Sequence, residues 1–263
     1  MLSTNSTYFK IATWNVNSLR VRLKQAIKWL ATEQPNVLVL QETKITDEQF
    51  PVEDIEALGY QVVFSGQKTY NGVAILSQSK PEDIVTDLPE LNDPQRRILA
   101  ATIDDIRILN LYVVNGSQVG SEKFAYKLDW LNKVTRWVAT QLKNHPKFII
   151  LGDFNIAPSD RDVHNPKAWK ERILCSTPER EALNSLLKLG FVDSFRLFEQ
   201  NDHIWSWWDY RGGSFQKNMG LRIDLILSSL LLSERCTACF VDKEPRTWQR
   251  PSDHAPVIAL YRP

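Results

Sequence analysis

The sequence predicts a mixed α/β chain forming one domain. Three observations carry this reading. Short β-rich or wholly apolar runs recur between residues 8 and 261, at least three longer segments repeat apolar residues at helical spacing, and the two kinds of segment are intermixed without strict alternation. The last point argues against a purely parallel, doubly wound sheet. No repeat, low-complexity tract or Pro/Gly/Ser linker divides the chain, and α/β domains of about 200–250 residues fold as single units, so residues 1–263 are expected to be one domain.

In chain order, residues 8–14 alternate and are rich in β-formers, hence a strand that ends in Asn15-Val16-Asn17-Ser18. A helix follows, with Leu19, Leu23, Ile27 and Leu30 on one face, until Pro35-Asn36 breaks it. Val37-Leu38-Val39-Leu40 is short and wholly apolar, which predicts a strand buried on both faces. Residues 60–64 and 72–76 read as two strands joined by a turn-rich segment, and residues 98–103 and 106–114 as a pair joined at Asp104-Asp105. Helical spacing returns at Phe124, Leu128, Leu131, Val134 and Val138. Phe148-Ile149-Ile150-Leu151 is a second buried strand, ending in Gly152-Asp153-Phe154-Asn155. Thr177 as N-cap and Pro178 at the first helical position open a helix that Gly190 ends. Residues 221–227 and 256–261 are the last strands, and the segment around Cys236 also alternates like one.

Composition narrows the function classes. Lys and Arg number 32 against 31 Asp and Glu, a net charge of +1. Binding of nucleic acid by bulk charge is excluded, so any such binding needs a local basic patch. The longest apolar run, 225–232, is short and broken by serines, far from the roughly 18 residues of a membrane helix. The first ten residues have no basic n-region or apolar h-region, so no signal peptide is expected. The three cysteines, Cys175, Cys236 and Cys239, are few and odd in number, which fits a reducing, cytoplasmic setting. Cys236 and Cys239 lie three apart on a strand, and regular alternation would turn them to opposite faces; buried thiols are the reading preferred over a metal or redox pair.

The chemistry sits at the strand ends. Asn15-Val16-Asn17, Gln41-Glu42-Thr43, Gly152-Asp153-Phe154-Asn155 and Ser252-Asp253-His254 are all read as sitting just past apolar strands. Such polar residues are also ordinary turn formers. If the ends converge, however, their oxygens make a rigid acidic bowl that calls for a hard cation such as magnesium or manganese. His254 beside it can act as base, acid or phosphate donor. Walker, zincin, Rossmann and hydrolase-elbow signatures are absent, and Ser252, Asp253 and His254 are consecutive, which does not suit a triad. The aromatic stretch Trp205-Ser206-Trp207-Trp208-Asp209-Tyr210-Arg211 reads, with the alternation of a strand, as one core face and one face lining a groove where bases could stack. Lys44, Lys68, Arg96, Arg97, Arg211, Lys217, Arg222 and Arg250 lie near the candidate loops, with phosphate contact or solvated surface as their two readings.

These motifs, in this order, resemble the exonuclease III family of DNA-repair nucleases within the endonuclease/exonuclease/phosphatase superfamily. The likeness spans nearly the whole chain: residues 13–20, Leu40-Gln41-Glu42-Thr43-Lys44, Gly66-Gln67-Lys68, Gln95-Arg96-Arg97, residues 152–156, Trp207-Trp208-Asp209-Tyr210-Arg211, residues 220–224 and Ser252-Asp253-His254-Ala255-Pro256. It implies a four-layer α/β sandwich, two mixed sheets face to face with helices outside. It also implies hydrolysis of DNA phosphodiesters with magnesium, manganese being the alternative, by a monomer acting on duplexes with abasic sites, nicks or 3′ ends.

By motif position, the resemblance makes Glu42 the main metal ligand, with Asn15 and Asn17 nearby and Asp153, Asn155, Asp253 and His254 around it. Asp153 would activate water, Asn155 would hold that water or the phosphate, Tyr112 would bind phosphate, and Asp224 would orient His254. Arg96, Arg97, Lys68, Trp208, Arg211, Leu221 and His164 are the expected DNA contacts. Two departures stand out. Some relatives have aspartate where this chain has Asn17, and many have a proline-containing turn where it has Val113-Val114-Asn115-Gly116. His164 and Leu221 are placed to shape a pocket for a flipped abasic sugar. Rival readings are a lipid or inositol phosphodiesterase of the same superfamily, a secreted DNase, and a non-catalytic DNA-binding relative.

Overall fold

The computed structural model describes residues 8–91 and 93–263; the sequence reading of residues 1–7 lies outside the described residues. In chain order the strands are β1 (Phe9–Asn15), β2 (Val37–Gln41), β3 (Gln61–Ser65), β4 (Val73–Ser77), β5 (Glu82–Val85), β6 (Ile98–Ile103), β7 (Ile106–Tyr112), β8 (Phe148–Asp153), β9 (Phe191–Asp193), β10 (Asp224–Ser229), β11 (Cys236–Val241) and β12 (Val257–Tyr261). The α-helices are α1 (Leu19–Glu33), α2 (Val52–Glu56), α3 (Glu122–Gln141), α4 (Pro166–Trp169), α5 (Thr177–Leu187) and α6 (Leu230–Ser233). One sheet runs β11-β12-β1-β2-β4-β3 and the other β5-β6-β7-β8-β10-β9. Each contains a single parallel pair, β1 with β2 and β7 with β8, among antiparallel neighbours.

Strand alternation builds the layers. Val37 and Val39 of β2 pack between the sheets with Ile11, Ile75, Ile108, Ile149, Leu151 and Ile226. Leu38 and Leu40, on the other face, pack with Trp14, Ala74 and Leu76 against Leu19, Ala26, Trp29 and Leu30 of α1. Across the molecule, Leu109, Leu111, Phe148, Ile150, Leu225 and Leu227 face Trp130, Leu131, Val134 and Val138 of α3 and Leu183 and Leu186 of α5. Helix, sheet, sheet and helix are thus stacked, and both faces of the central strands are buried. This is why those strands read as apolar runs and not as alternating ones. Full burial of each such side chain contributes roughly 1.5–3 kcal/mol.

One polar crosspiece ties the sheets together. Asn110 of β7 projects into the inter-sheet core, where it donates to the carbonyls of Leu40 and Ala74 at 2.9 Å each and accepts from the Gln41 amide at 2.8 Å.

Topology brings the polar strand ends to one edge. β1 and β2 run together, so Asn15 and Glu42 emerge side by side; β7 and β8 likewise deliver Tyr112 opposite Asp153. β10 runs against β8, so its first residue, Asp224, pairs with Asp153, the last residue of β8. β12 runs against β1, so the turn that enters it carries Ser252-Asp253-His254 to the same edge. That fourth cluster therefore precedes its strand and does not follow one.

Several elements differ from the sequence reading. The helix that opens at Thr177-Pro178 is capped one residue earlier than expected: Ser176, not Thr177, exchanges bonds with Glu179, and α5 begins at Thr177. β10 starts at Asp224, because Leu221 instead forms isolated bridges to Val163 and Trp207. Residues 205–211 are not a strand but a loop touching both Leu221 and His254. A bulge between Cys236 and Ala238 resets the alternation, so Cys236 and Cys239 both face the inter-sheet core. Both are free, buried thiols, as is Cys175.

Candidate active site

The strand ends do converge. The Asn15 amide nitrogen donates to Glu42 Oε1 and to Asp153 Oδ2, both at 2.9 Å, and so joins a carboxylate from each sheet. Asp224 holds His254 Nδ1 at 2.8 Å, while His254 Nε2 faces Asp153 Oδ2 at 3.8 Å. Asn155, in the left-handed region at φ 48°, donates its backbone N–H to Asp153 Oδ1 at 2.9 Å and its side-chain amide to the carbonyl of Val113 at 3.0 Å. Asn115 donates to Asn155 Oδ1 at 3.1 Å. Asn15 and Asp224 are wholly buried and His254 is 4% exposed. The turn that carries His254 is pinned to β1, since Ser252 Oγ donates to the Asn15 carbonyl at 2.7 Å.

Charge is distributed unevenly. Burial would raise the Glu42 carboxyl, but the Lys44 ammonium beside it and hydrogen bonds from Lys44 and Asn15 bring it below the ordinary range. Asp153 goes the other way: burial, reinforced by Asp224 and Glu42 against the opposing pull of His254, pushes it up to about 7. Burial works against the His254 cation, yet Asp224 and Asp153 outweigh it and raise the imidazole to about 10. The Tyr112 hydroxyl is raised by burial and by the charges of Glu42 and Asp153, so it stays protonated. Asp253 is held below its usual range; burial opposes this, but His254 and the N–H groups of Trp207 and Asn17 prevail.

A divalent cation fits this donor set. Oxygens of Glu42 and Asp153 and a ring nitrogen of His254 lie within 4.8 Å of one another. Three carboxylates crowded here repel, and the Lys44 ammonium at 2.7 Å from Glu42 Oε2 shows that a cation is favoured at that spot. Glu42 and Asp153 are the fitting oxygen ligands. In the metal-free chain His254, kept cationic by Asp224 and Asp153, suits donation to a phosphate oxygen. Asn15 turns its N–H groups to the carboxylates while its Oδ1 accepts from the Asn17 backbone, and Asn17 Oδ1 accepts from Lys44 at 2.6 Å. Both asparagines therefore hold the carboxylate cluster in shape. Asp253 lies behind Asn17, bonded to it at 2.9 Å and to the Trp207 indole at 3.0 Å.

The expected DNA contacts divide. Arg97 lies over the Tyr112 ring at 4.5 Å and, like Arg96, is half-buried beside the site. Lys68 is exposed in a cleft of about 350 Å³ shared with Arg20 and Lys44. Arg211 is exposed, and its guanidinium is bonded to Asp209 at 3.2 Å. His164 is half-buried, with Nδ1 3.1 Å from the Gly220 carbonyl. Two expectations are corrected. Trp208 is wholly buried, packed with Trp205, Ala255 and Phe215, and has no face free to stack on a base. Leu221 is equally buried, packed with Val163 and Ile223, so it supports the loop from beneath. Arg222, one of the scattered basic residues, is a core residue locked between Asp162 and Asp193.

Sequence reasoning overlooked the closeness of Lys44 to Glu42 and the parts played by Trp207 and Asn115. Asn115 follows β7 much as Asn155 follows β8, a spacing signal that was present. The bond from Trp207 to Asp253 joins residues 46 apart and left none.

The chain matches the endonuclease/exonuclease/phosphatase family over residues 12–254. It is 37% identical to exodeoxyribonuclease III of Haemophilus influenzae over 96% of this chain and 100% of that one. Among solved structures it is similar to the 3′ phosphatase NExo from Neisseria bound to a product DNA hairpin, with TM-score 0.95, 47% identity, and 96% of this chain and 99% of that one covered. An AP endonuclease from Archaeoglobus fulgidus gives TM-score 0.93 and 39% identity, with the same shares covered. The two six-stranded mixed sheets with helices outside are the fold of these neighbours.

Proposed function

The chain belongs to the endonuclease/exonuclease/phosphatase family, and from that premise we propose that it is a metal-dependent DNA phosphodiester hydrolase of the exonuclease III type. It acts in base-excision repair as a 3′→5′ exodeoxyribonuclease, a 3′-end-processing enzyme and an AP endonuclease. The observation that carries this is the convergence of Glu42, Asp153 and His254 from two sheets around one cation-sized space. Its relatives are an exodeoxyribonuclease III, a 3′ phosphatase seen with DNA, and an AP endonuclease. They disfavour a lipid or inositol phosphate as substrate.

The chain's groups divide the work of hydrolysis. Asp153, raised toward neutrality and held by Asn15 and the Asn155 backbone, orients and deprotonates the attacking water. The Asn155 amide fixes that water or a phosphate oxygen. His254, kept cationic by Asp224, donates from Nε2 to a non-bridging oxygen, and the protonated Tyr112 hydroxyl donates to another. Glu42 and Asp153 hold the divalent ion, with Asn15, Asn17 and Asp253 bracing them. Magnesium is the ion we propose, with manganese fitting the same oxygens; when bound, it neutralises phosphate charge and eases departure of the 3′-oxygen. Arg96, Arg97, Lys68, Arg211 and His164 are proposed to contact DNA at the rim.

A cytoplasmic monomer in which the whole chain is one domain completes the proposal; its three cysteines are free thiols, as a reducing compartment leaves them. An activity panel tests it. Duplexes with an internal abasic site, a 3′-recessed end and a 3′-phosphate are incubated with magnesium or with chelator. Turnover restored by magnesium is expected, and no turnover in any divalent metal overturns the enzymatic reading. Absence of nicking on the abasic duplex alone removes the endonuclease part.

A further inference from the structure

Behind the site lies a buried lysine that the mechanism above does not use. Lys127, on α3, is wholly buried. Its ammonium donates to the carbonyl of Asn155 at 2.7 Å, to the carbonyl of Asn115 at 3.2 Å and to Glu179. All three N–H directions of the ammonium are thereby satisfied. Glu179 is held in turn by the backbone N–H groups of Leu174 and Ser176 and by the Ser176 hydroxyl.

The two carbonyls gripped by Lys127 belong to the two asparagines whose side chains bond each other, Asn115 to Asn155. Asn155 also sits at φ 48°, a left-handed conformation open to asparagine, whose orientation its hydrogen bonds then fix. Its N–H is tied to Asp153, and Lys127 ties its other end. Gly116 makes room: at φ 89°, a Cβ there would meet the Lys127 stem and Ile173 at 3.1 Å.

We propose that Lys127 is a positioning residue for the reaction: by clamping the backbones of Asn115 and Asn155 together, it holds the Asn155 amide, which donates to Val113 and to Asp153 Oδ2, in place beside Asp153 at the reacting centre. This rests on the proposed nuclease reading, and it assigns Lys127 no contact with substrate or metal. An arginine would not replace it, because a planar, longer guanidinium cannot point three donors at this tetrahedral set.

The test is Lys127→Met, measured on a 3′-recessed duplex with magnesium. kcat is expected to fall about 10–100-fold, the range for groups that hold catalytic side chains from behind, with KM changed little. The same substitution in an Asn155→Ala background is expected to cost less than about 3-fold, since the group it positions is gone. Equal losses in both backgrounds, or an unchanged kcat, overturn the proposal. If the single variant does not fold, Lys127→Met/Glu179→Met carries the same test without a lone buried charge. An activity-independent reading is the amide spectrum of the protein labelled with 15N-asparagine and free of metal. The side-chain signals of Asn155 and Asn115, assigned by substitution, should shift in the variant, and unmoved signals overturn the clamp. A native chain with no turnover on any DNA sinks the nuclease reading and leaves this spectrum to decide the clamp.

Discussion

Asp153 is where opposing demands on one side chain meet. It touches Asn15, Asn155 and the His254 ring from a position with almost no solvent, and its carboxyl is pushed up to about 7. Asp153→Asn keeps the shape and removes the basic oxygen, so kcat should drop by about 10²–10⁴-fold, as read by single-turnover cleavage. The same variant should be more thermostable than the native chain at pH 8 in chelator. A carboxyl raised in the folded state supports folding below the unfolded value of 3.8 and loses that contribution as pH rises through about 7; asparagine imitates the protonated form at every pH. Calorimetry that finds the variant less stable at pH 8 would refute this account. Glu42, Asp153, Asn155 and His254 were legible in the sequence as polar residues beside apolar runs, and Asp224 only through the family resemblance. The direction of Asn15 was not, because whether an amide shows oxygen or nitrogen to its neighbours depends on partners 27 and 138 residues away.

Single elements impose their own limits. Gly152, next to Asp153 in β8, has φ 145°, and a Cβ there would lie 1.9 Å from the Leu111 carbonyl oxygen of β7. Gly152→Ala should therefore force β7 and β8 apart and displace Tyr112 and Asp153 together; loss of soluble folded protein, or kcat reduced at least about 10²-fold, is expected. A variant of native activity and melting temperature would contradict the close approach. Under the loop that carries His164, Arg222 bonds Asp162 at 2.7 Å and Asp193 at 2.6 Å. Arg222→Met leaves the buried Asp162 with Arg196 and Ser159 alone and the half-buried Asp193 without its cation, and should cost about 3 kcal/mol in urea unfolding. The long elements were readable because their periodicity extends over several turns or a full strand. α2, β5 and β9 were not, since five, four and three residues are too few to show a period. The aromatic stretch at 205–211 misled for a related reason: it is a loop in which Trp205 and Trp208 pack against Phe215 and Ala255 and Trp207 packs against the cluster of Leu221 and Ile223, so alternation has no meaning there.

The whole molecule sets the pH range of the fold. Asp162 is held below 3.8, since Arg222 and Arg196 overcome the cost of burial. Its support is present above that value and is lost as pH falls through its lower folded-state value. Asp153 withdraws its support as pH rises from 3.8 through about 7, and His254, held cationic up to about 10, withdraws its own above 6.5. The metal-free chain should thus be most stable near pH 4 and lose stability on both sides, and thermal melts from pH 2 to 9 that rise steadily toward alkali would contradict it. The four-layer architecture was anticipated through the order of its motifs, whereas the turn entering β12 was misread as following a strand because direction within a sheet is a tertiary property. That architecture has one more effect. Asn15 ends a strand of one sheet, with Glu42 and His254 on the loops that leave and enter that sheet, whereas Tyr112, Asp153 and Asp224 are strand ends of the other. Turnover is therefore a caliper on the gap between the two slabs. Hydrostatic pressure or a cavity cut into the seam near Asn110 should slow cleavage well before any melting is visible, because the jaws that grip the phosphate are mounted on opposite plates.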